Sequence, residues 1–291
     1  MSRGLAYIDV RGVGKSFTRD GRPREILRDV SLAVDEGEFV SIVGAMGSGK
    51  STLLSLMAGL TRADAGTVTL AGQPLEGIPR RAAFVFQNYS LLPWFSAIEN
   101  VRLAVDAAFP GIGAREQQAR ARHALESVGL GNALTRRPGQ LSGGMRQRVA
   151  IARAFATEPD VLFLDEPFGA LDALTRESLQ QELVRLCAAE ARGVTTVMIT
   201  NNVEEAILLS DRIVPMVAHR PATLGTPIRV ELSRPRSVAQ LARDEQATHV
   251  RAHVVATLTA SLGRIRKSTA ATAAAGVAAA AVLERVAEEA Q

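Results

Sequence analysis

The stretch Glu38-Phe-Val-Ser-Ile-Val43, followed directly by Gly44-Ala-Met-Gly-Ser-Gly-Lys50-Ser51, decides the fold of this chain. The first segment is a compact, mostly apolar run, which is typical of a strand buried on both faces. The second matches the pattern G-x-x-x-x-G-K-[ST], and a helix-like segment continues from it to Leu60. A strand, a glycine-rich loop and a helix in this order are the setting in which the pattern binds phosphate.

The glycine-rich loop supplies the groups that a polyphosphate requires. Small residues allow backbone N–H groups to surround the phosphate oxygens, and the N-terminus of the following helix adds a favourable potential for anions. We expect the Lys50 ammonium to reach the β- and γ-phosphates as a catalytic group, and the Ser51 hydroxyl to ligate Mg²⁺. The predicted nucleotide-binding residues of the loop are Gly44, Ala45, Met46, Gly47, Ser48, Gly49, Lys50, Ser51 and Thr52.

A second motif, Val161-Leu-Phe-Leu-Asp165-Glu166-Pro167, is an apolar strand that ends in two acids. This is the Walker B arrangement, in which the first acid holds Mg²⁺. Asp165 is therefore a predicted metal-binding residue. Glu166 is placed to polarise the water that attacks the γ-phosphate and is the predicted catalytic base.

Strand-like and helix-like segments alternate along much of the chain. Apolar runs at 82–86, 161–164 and 195–200 are separated by helical patterns, which predicts an α/β fold with a parallel sheet covered on both faces. Near the N-terminus, alternating residues at 5–17 and 26–34 flank a turn and predict antiparallel strands. We predict a nucleotide-binding core at 1–87 and 158–225, an inserted helical subdomain at 88–157, and a C-terminal extension at 226–291 with an Ala-rich, partly disordered tail.

Composition excludes several classes of protein. The 291 residues carry 34 Lys and Arg against 30 Asp and Glu, a net charge of only +4, so we expect no nucleic-acid partner. A single cysteine, Cys187, excludes a disulfide framework and fits a reducing compartment. No segment reaches about 18 strongly apolar residues, and the N-terminus lacks the apolar run of a signal peptide. We therefore expect a cytoplasmic protein that reaches a membrane only through a partner.

A third motif identifies the family. The stretch from Gln140 to Arg153 contains Ser142, Gly143 and Gly144 at the start of a helix, which forms a second nest for phosphate. It resembles the signature motif of the ATP-binding cassette (ABC) ATPases, with Met145 where the family usually has Gln. The resemblance implies a RecA-like P-loop core with an antiparallel β subdomain and an inserted helical subdomain. It also implies that Ser142–Gly144 close on ATP held by a second cassette.

Other landmarks follow the family order over roughly residues 7–225. Gln87 resembles the Q-loop glutamine, a metal-sensing and catalytic position, and 170–172 resemble the D-loop at the dimer interface. Phe17 stands where the family places an aromatic ring on adenine, although a lone aromatic is more often a core residue. The resemblance implies ATP and Mg²⁺ as ligands.

One residue departs from the family. Asn201 follows the strand at 195–200 at the position where most cassettes carry a γ-phosphate-contacting histidine. Asn can donate one hydrogen bond, but it cannot carry charge or shuttle a proton. Two interpretations follow: Glu166 suffices and Asn201 keeps a positioning role in a catalytic subunit, or the chain is a weakly hydrolysing or non-hydrolysing regulatory cassette beside a catalytic partner. We favour the first, because every other catalytic element is intact. The nitrate-type branch of the family often shows Thr-Asn here, so the resemblance implies a mark of the subfamily and not decay.

The stretch after Gln87, with Leu91-Leu-Pro-Trp94-Phe95 at its centre, resembles importers of nitrate, sulfonate, taurine and related anions. In that family this region docks a helix of the membrane permease. An apolar groove would suit such a helix, although Trp94 could instead pack inside the helical subdomain. The resemblance implies an ATPase on the cytoplasmic face of the inner membrane, working with a permease and, indirectly, a periplasmic binding protein. A non-transport ABC protein ranks lower, since this chain has one cassette and no heptad insertion.

Overall fold

The computed structural model describes residues 6–19, 21–189, 193–217 and 221–260. The Ala-rich tail of the sequence prediction lies outside these residues. The strands are β1 (Ile8–Arg19), β2 (Arg22–Val34), β3 (Phe39–Val43), β4 (Ala65–Leu70), β5 (Gln73–Pro74), β6 (Ala82–Val85), β7 (Val161–Asp165), β8 (Thr195–Thr200), β9 (Arg212–Val217), β10 (Thr223–Leu224) and β11 (Ile228–Arg229).

The α-helices with defined bounds are α1 (Lys50–Met57), α2 (Ala97–Ala108), α3 (Ala114–Ser127), α4 (Gly143–Phe155), α5 (Ala173–Ala189), α6 (Val203–Leu209) and α7 (Val238–Leu241). Residues 245–260 are also helical and are called the C-terminal helix below. Within the described residues, every helix is too short or too polar to span a bilayer.

The strand before the glycine-rich loop lies inside a mainly parallel sheet of order β10-β9-β3-β8-β7-β6, with β11 also paired to β9. β3 is parallel to both β8 and β9, and β7 is parallel to β6 and β8. Every residue of β3 and β8 is buried, because layers cover both faces of the sheet. The α/β class predicted from the apolar runs is therefore observed.

A second, antiparallel sheet has the order β2-β1-β4-β5. Val30, Leu32 and Val34 of β2 are buried at alternate positions, as the period of two predicts, and Leu27 is out of this phase, beyond Asp29 with its φ of 49°. This sheet and α1 share one apolar cluster with Ile42 and Phe163 of the parallel sheet. The helix after the glycine-rich loop is thus packed between the two sheets, which fixes its N-terminus.

The opposite face of the parallel sheet belongs to a second cluster, which includes Leu162, Leu164 and Met198 together with residues of α2, α3, α4 and α5. Three of these helices lie between β6 and β7 in the chain. Ser96 caps α2 in a capping box with Glu99, and Ser142 caps α4. The serines that begin these helices therefore satisfy N–H groups of the first turn.

The first helix is shorter than its sequence pattern predicts. We expected it to reach Leu60, but it ends at Met57, and Gly59 adopts a φ of 71°. A Cβ at Gly59 would lie 2.1 Å from the carbonyl oxygen of Gly77. Both the backbone conformation and this close approach require glycine, which stops the helix.

The part of the C-terminal extension that the structure describes packs on the core. Its buried apolar residues are Ile228, Val230, Leu241, Ala247, Val250 and Val254. The Arg236 guanidinium donates to Ile207 O at 2.8 Å and Ser210 O at 2.7 Å, at the end of α6, and also to the carbonyls of Val230 and Leu232. Burial lowers the pKa of Arg236 to about 10. Arg236 therefore holds the extension against α6, and Arg234 adds a bond from its Nη2 to Leu209 O at 2.8 Å.

Replacing Arg236 tests this attachment. Arg236→Ala leaves half-buried carbonyls without a donor, so we expect a loss of about 2–3 kcal/mol and a fall in Tm of roughly 4–10 °C, measured by differential scanning fluorimetry. Arg229→Ala is the matched control, because Arg229 is an exposed arginine on β11. Equal Tm values for the two variants would contradict this role.

Candidate active site

The glycine-rich loop joins the end of β3 to the start of α1. Gly47 and Gly49 adopt φ values of 73° and 97°, which residues with a Cβ rarely reach. Gly49 is the N-cap of α1 and has no side chain that could accept a hydrogen bond from the N–H groups of the first turn. The N–H groups of the first turn are therefore left for another acceptor, as at helix N-termini that bind anions.

The walls of the loop are tightly packed. A Cβ on Gly44 would lie 3.1 Å from both Met216 and the Ser48 hydroxyl, so a larger residue would push into the loop. Ser48 Oγ is buried and has no hydrogen-bond partner among the described residues. An orphaned hydroxyl in a loop lined by N–H groups fits a ligand with many oxygens, such as a polyphosphate.

Lys50 is buried at the base of this loop. Its Nζ donates to Gly44 O at 2.9 Å and Ala45 O at 3.0 Å and lies 3.7 Å from Glu166 Oε1. Burial lowers the pKa of Lys50, while the carboxylates of Glu166 and Asp165 act in the opposite direction. The ammonium is thus held between backbone oxygens of the loop and the acid at the end of β7.

The two acids of the second motif stand beside the loop. Ser51 Oγ donates to Asp165 Oδ1 at 3.3 Å. Burial raises the pKa of Asp165, and the hydrogen bond from Ser51 lowers it in part. Glu166 has a φ of 42°, uncommon for a residue with a side chain, and its N–H donates to Ile199 O at 3.0 Å. The structure therefore brings Lys50, Ser51, Asp165 and Glu166 together from two distant segments.

These donors suit a magnesium–nucleotide complex. A serine hydroxyl and a carboxylate are hard oxygen ligands, which Mg²⁺ prefers, and Mg²⁺ is usually held by one or two protein oxygens plus phosphates and water. In the described part of the chain, no group of three or more His, Cys, Asp or Glu side chains could hold a metal ion. The residues present fit a metal that arrives with its nucleotide.

Gln87 and Asn201 are exposed residues that follow β6 and β8. Since β3, β6, β7 and β8 are parallel neighbours, their carboxyl ends lie at one edge of the sheet, where ligands of open α/β sheets bind. Both residues are therefore at the same edge as the glycine-rich loop and the acids. Their predicted contacts with a nucleotide stay predictions.

The Phe17 ring lies on β1 and is 46% exposed, with Lys15 Nζ 5.4 Å from its centroid. This exposure excludes the alternative that Phe17 is a core residue. A half-exposed ring with a cation beside it is free to stack on a flat ligand, but adenine stacking stays a prediction.

The predicted signature residues begin α4. Ser142 Oγ accepts a hydrogen bond from Met145 N at 3.3 Å. A Cβ on Gly144 would lie 2.4 Å from Thr175 Cγ2, so glycine is required here by the packing of α4 on α5. A Cβ on Gly143 would meet Tyr89 and Leu171. The residues nearest to these glycines are Tyr89, Leu171 and Thr175, and none of them belongs to the glycine-rich loop. The role of the signature residues toward a nucleotide on another subunit stays a prediction.

The loop after Gln87 exposes its tryptophan. The Trp94 ring is 62% exposed and stacks edge-on against Phe95, so it does not fill the core of the helical subdomain. Asn100 on α2 is buried beneath this loop, with 1% of its surface exposed. Its side chain accepts a hydrogen bond from Leu92 N at 2.8 Å and donates to the carbonyls of Leu92, Phe95 and Ser96. Of the two alternatives for Trp94, exposure favours a docking surface.

Sequence reasoning missed two further residues of this region. Arg153, on α4, donates to Ser90 O at 2.6 Å and Tyr89 O at 2.9 Å, and burial lowers its pKa. It joins the signature helix to the loop after Gln87, as Asn100 joins α2 to it. A polar residue inside an apolar helical pattern is the signal that could have found both.

The fold and the site define a P-loop nucleoside triphosphatase: a parallel sheet, a phosphate loop at its carboxyl edge, and a lysine, a serine and two acids around it. The comparisons with known proteins narrow this class. The family model described as ABC transporter matches residues 27–169. The chain is 46% identical to the nitrate import ATP-binding protein NrtD of Synechococcus elongatus over 86% of this chain and 90% of the relative. The chain belongs to the ABC transporter ATP-binding family.

Two other similar proteins are also transport proteins for small anions by name. The nitrate transport protein NasD of Klebsiella oxytoca is 45% identical over 85% of this chain and 94% of its own length. The bicarbonate transport ATP-binding protein CmpC of Synechocystis is 44% identical over 86% of this chain, but the chain spans only 37% of CmpC.

Among solved structures, a dimeric ATP-binding cassette, MJ0796, in a post-hydrolysis state with ADP and phosphate matches with a TM-score of 0.70 and 32% identity, over 78% of this chain and 100% of that one. These matches confirm the fold class and the family that the sequence predicted.

The contact between Gly144 and Thr175 gives a compensation test. Gly144→Ala forces α4 away from α5, so we expect a loss of about 1–3 kcal/mol, detected as a lower Tm. Thr175→Ser removes the clashing methyl group and keeps the hydroxyl, so the double variant should recover most of the lost Tm. A double variant no more stable than Gly144→Ala would show that this packing is not the reason for glycine.

Proposed function

We propose that this chain is the ATP-hydrolysing subunit of an importer for a small anion. The observation that carries the proposal is the cluster of Lys50, Ser51, Asp165 and Glu166 around a glycine loop whose helix lacks a side-chain cap. The names of the relatives support the class of substrate: NrtD and NasD are nitrate proteins, and CmpC is a bicarbonate protein. Both are small oxyanions with one negative charge.

Binding of ATP by this site begins with the loop. The N–H groups of residues 44–52 surround the β- and γ-phosphates, and Lys50 exchanges part of its bonding to Gly44 O and Ala45 O for phosphate oxygens. Phe17 stacks on the adenine. When bound through Ser51 and Asp165, with Gln87 nearby, Mg²⁺ neutralises charge on the phosphates.

Hydrolysis depends on Glu166. Its carboxylate lies 3.7 Å from the Lys50 ammonium, so it is held at the phosphate end of the site, where it orients water and accepts a proton from it. Asn201 donates a hydrogen bond toward the γ-phosphate and supplies no charge. These roles keep hydrolysis possible without a histidine at position 201.

A second cassette completes the site. In the proposed dimer, Ser142, Gly143 and Gly144 of one subunit cap the ATP held by the loop of the other. The similar cassette MJ0796 is dimeric in its post-hydrolysis state with ADP and phosphate, which supports this arrangement. When the two cassettes close on ATP, we expect two units of each chain to move relative to each other. These are the core, 1–87 and 158–225, with 226–291 as its extension, and the helical subdomain, 88–157.

Import requires a membrane permease and, indirectly, a periplasmic substrate-binding protein. We assign permease docking to the surface around Leu91–Phe95, because Trp94 is exposed there on a loop to which Asn100 is hydrogen-bonded. We infer from this assignment and from the names of the relatives that the chain works on the cytoplasmic face of the inner membrane. A regulatory cassette without hydrolysis is the less favoured alternative, and its motivation is Asn201 alone.

The proposal is tested by steady-state phosphate release with MgATP. We expect the wild type to turn over and Glu166→Gln to lose roughly 100-fold or more in kcat while still binding a fluorescent ATP analogue. Asn201→His should change kcat only modestly, since Glu166 remains. A silent wild type that Asn201→His activates would instead identify an ATP-holding subunit, and the catalytic role proposed here would be wrong.

Trp94→Ala tests the docking surface. Because the ring is exposed, we expect the Tm and the ATPase rate of the isolated protein to stay close to wild type, while co-purification of the permease from solubilised membranes falls sharply. Leu103→Ala, which removes another exposed apolar side chain from the helical subdomain, is the control. Unchanged permease recovery with Trp94→Ala would move the docking site elsewhere.

A further inference from the structure

A buried carboxylate is hydrogen-bonded to Thr200, the residue directly before Asn201. Glu205, on α6, is 5% exposed, and its two hydrogen-bonding neighbours, Thr200 and Gln180, are 2% and 4% exposed. Thr200 is the last residue of β8, and Gln180 lies on α5. Three elements that meet near the active edge of the sheet are therefore joined by one acid.

Both oxygens of Glu205 are engaged. Thr200 Oγ1 donates to Glu205 Oε2 at 2.6 Å, and Gln180 Nε2 donates to Glu205 Oε1 at 3.0 Å. A buried carboxylate is tolerated when its oxygens are satisfied in this way, and removal of the acid would leave two buried polar groups without their partner. Glu205 therefore fixes the distance between α5 and the end of β8.

The residues on either side of Asn201 are fixed by side chains. Asn202 N donates back to Thr200 Oγ1 at 3.0 Å, the same hydroxyl that Glu205 binds. Asn202 Oδ1 accepts from Glu204 N at 3.0 Å and Glu205 N at 3.3 Å, which caps α6. Asn201 thus lies within a short loop whose backbone conformation depends on the Thr200 hydroxyl, and that hydroxyl is oriented by Glu205.

The other end of this connection reaches the catalytic acid. Arg176, one turn before Gln180 on α5, donates to Leu171 O at 2.8 Å and to Phe168 O at 3.3 Å. These carbonyls belong to the segment that follows Glu166 and leads through the D-loop-like residues 170–172. Arg176 therefore connects that segment to α5, and α5 also carries Gln180, which donates to Glu205.

Groups from several elements act on the pKa of the Glu205 carboxyl. Burial raises the pKa of the Glu205 carboxyl, the hydrogen bonds from Thr200 and Gln180 lower it, Arg176 lowers it further, and the Glu166 carboxylate raises it. The oxygens of Glu205 are nevertheless bound by Thr200 and Gln180 and not by residues of the phosphate loop.

We propose that Glu205 is a positioning residue that orients Asn201 for hydrolysis and links it, through Gln180 and α5, to the segment at the proposed dimer interface. This inference rests on the proposed function of the site. It predicts that Glu205 acts on turnover and not on the binding of ATP, since it touches none of the loop residues that hold the nucleotide.

The neighbouring residue offers a matched control. Glu204 is also a glutamate of the first turn of α6, but its side chain is 54% exposed and pairs with Arg251 of the C-terminal helix. Its carboxylate Oε2 accepts from Arg251 Nη2 at 2.8 Å. A change of charge at this end of α6 is thus reproduced by Glu204→Gln without touching the buried connection.

The test measures kcat and KM for MgATP in Glu205→Ala, Glu205→Gln and Glu204→Gln. We expect Glu205→Ala to lower kcat roughly 10- to 100-fold with KM unchanged within about twofold. Glu205→Gln keeps the shape and can still bond to Thr200 and Gln180, so it should recover much of the loss. Glu204→Gln should stay within about twofold of wild type, because exposed ion pairs contribute little. A folded Glu205→Gln and Glu205→Ala pair with wild-type kcat would overturn the proposal.

A double variant separates positioning from general destabilisation. If Glu205 acts through Asn201, Glu205→Ala should lower kcat in the wild-type background but should lower it no further when added to Asn201→Ala, and the assay is run long enough to resolve slow turnover. An equal loss in both backgrounds, or a rise in KM with kcat unchanged, would rule out action through Asn201. If Glu205→Ala does not fold, Thr200→Val takes its place in the cycle, because it removes the hydroxyl through which Glu205 acts and keeps the shape of the side chain. A wild type without turnover would refute the proposed function itself. A wild type whose turnover is lost in Glu166→Gln supports that function, and the Glu205 variants are then judged on their own.

Discussion

The free N–H groups at the start of α1 are the constraint on which the rest of the structure depends. Because no side chain caps α1, its first N–H groups need water or an anion as acceptor, and in the proposed function a phosphate of ATP supplies it. The helix must therefore begin where a phosphate can reach it, at the carboxyl edge of the parallel sheet. The burial of every residue of β3 fixes this point, and α1 is packed between the two sheets. The antiparallel sheet thus helps to position a site that it barely lines.

The same edge collects the remaining groups of the site because neighbouring strands are parallel. β7 delivers Asp165 and Glu166, β6 leads to Gln87, and β8 leads to Asn201. Glu166 takes an uncommon positive φ, and its N–H is held by Ile199 O on the adjacent strand. Such a conformation persists where the surroundings determine it, and here it directs the acid toward Lys50 instead of along the strand.

The sequence analysis found the parts of the site that are contiguous in the chain. The phosphate loop and the acids of β7 are each written in one short segment, with an apolar strand before them, so their local structure follows from pattern alone. Phe17 and Trp94 could not be decided in this way, because burial depends on the whole fold. Three sets of hydrogen bonds could not be predicted either: those of Glu205 with Thr200, of Arg236 with the end of α6, and of Asn100 with the Leu91–Phe95 loop. Each is made by a polar residue in a stretch where polar and apolar residues are mixed. Their partners are set by tertiary packing, which one sequence does not display.

The groups around Asn201 can supply the charge and the proton transfer that an asparagine side chain lacks. A histidine could both direct the γ-phosphate and change its charge near neutral pH, whereas an amide can only direct. Of the carboxyl groups near this edge, Asp165 accepts from Ser51, and Glu205 has its oxygens engaged by Thr200 and Gln180. In the proposed mechanism, Glu166 is therefore the carboxylate that accepts the proton of the attacking water. In that mechanism, charge, proton transfer and direction are divided among Lys50, Glu166 and Asn201. Asn201 supplies direction alone, so it depends most on the hydrogen bonds that fix its loop.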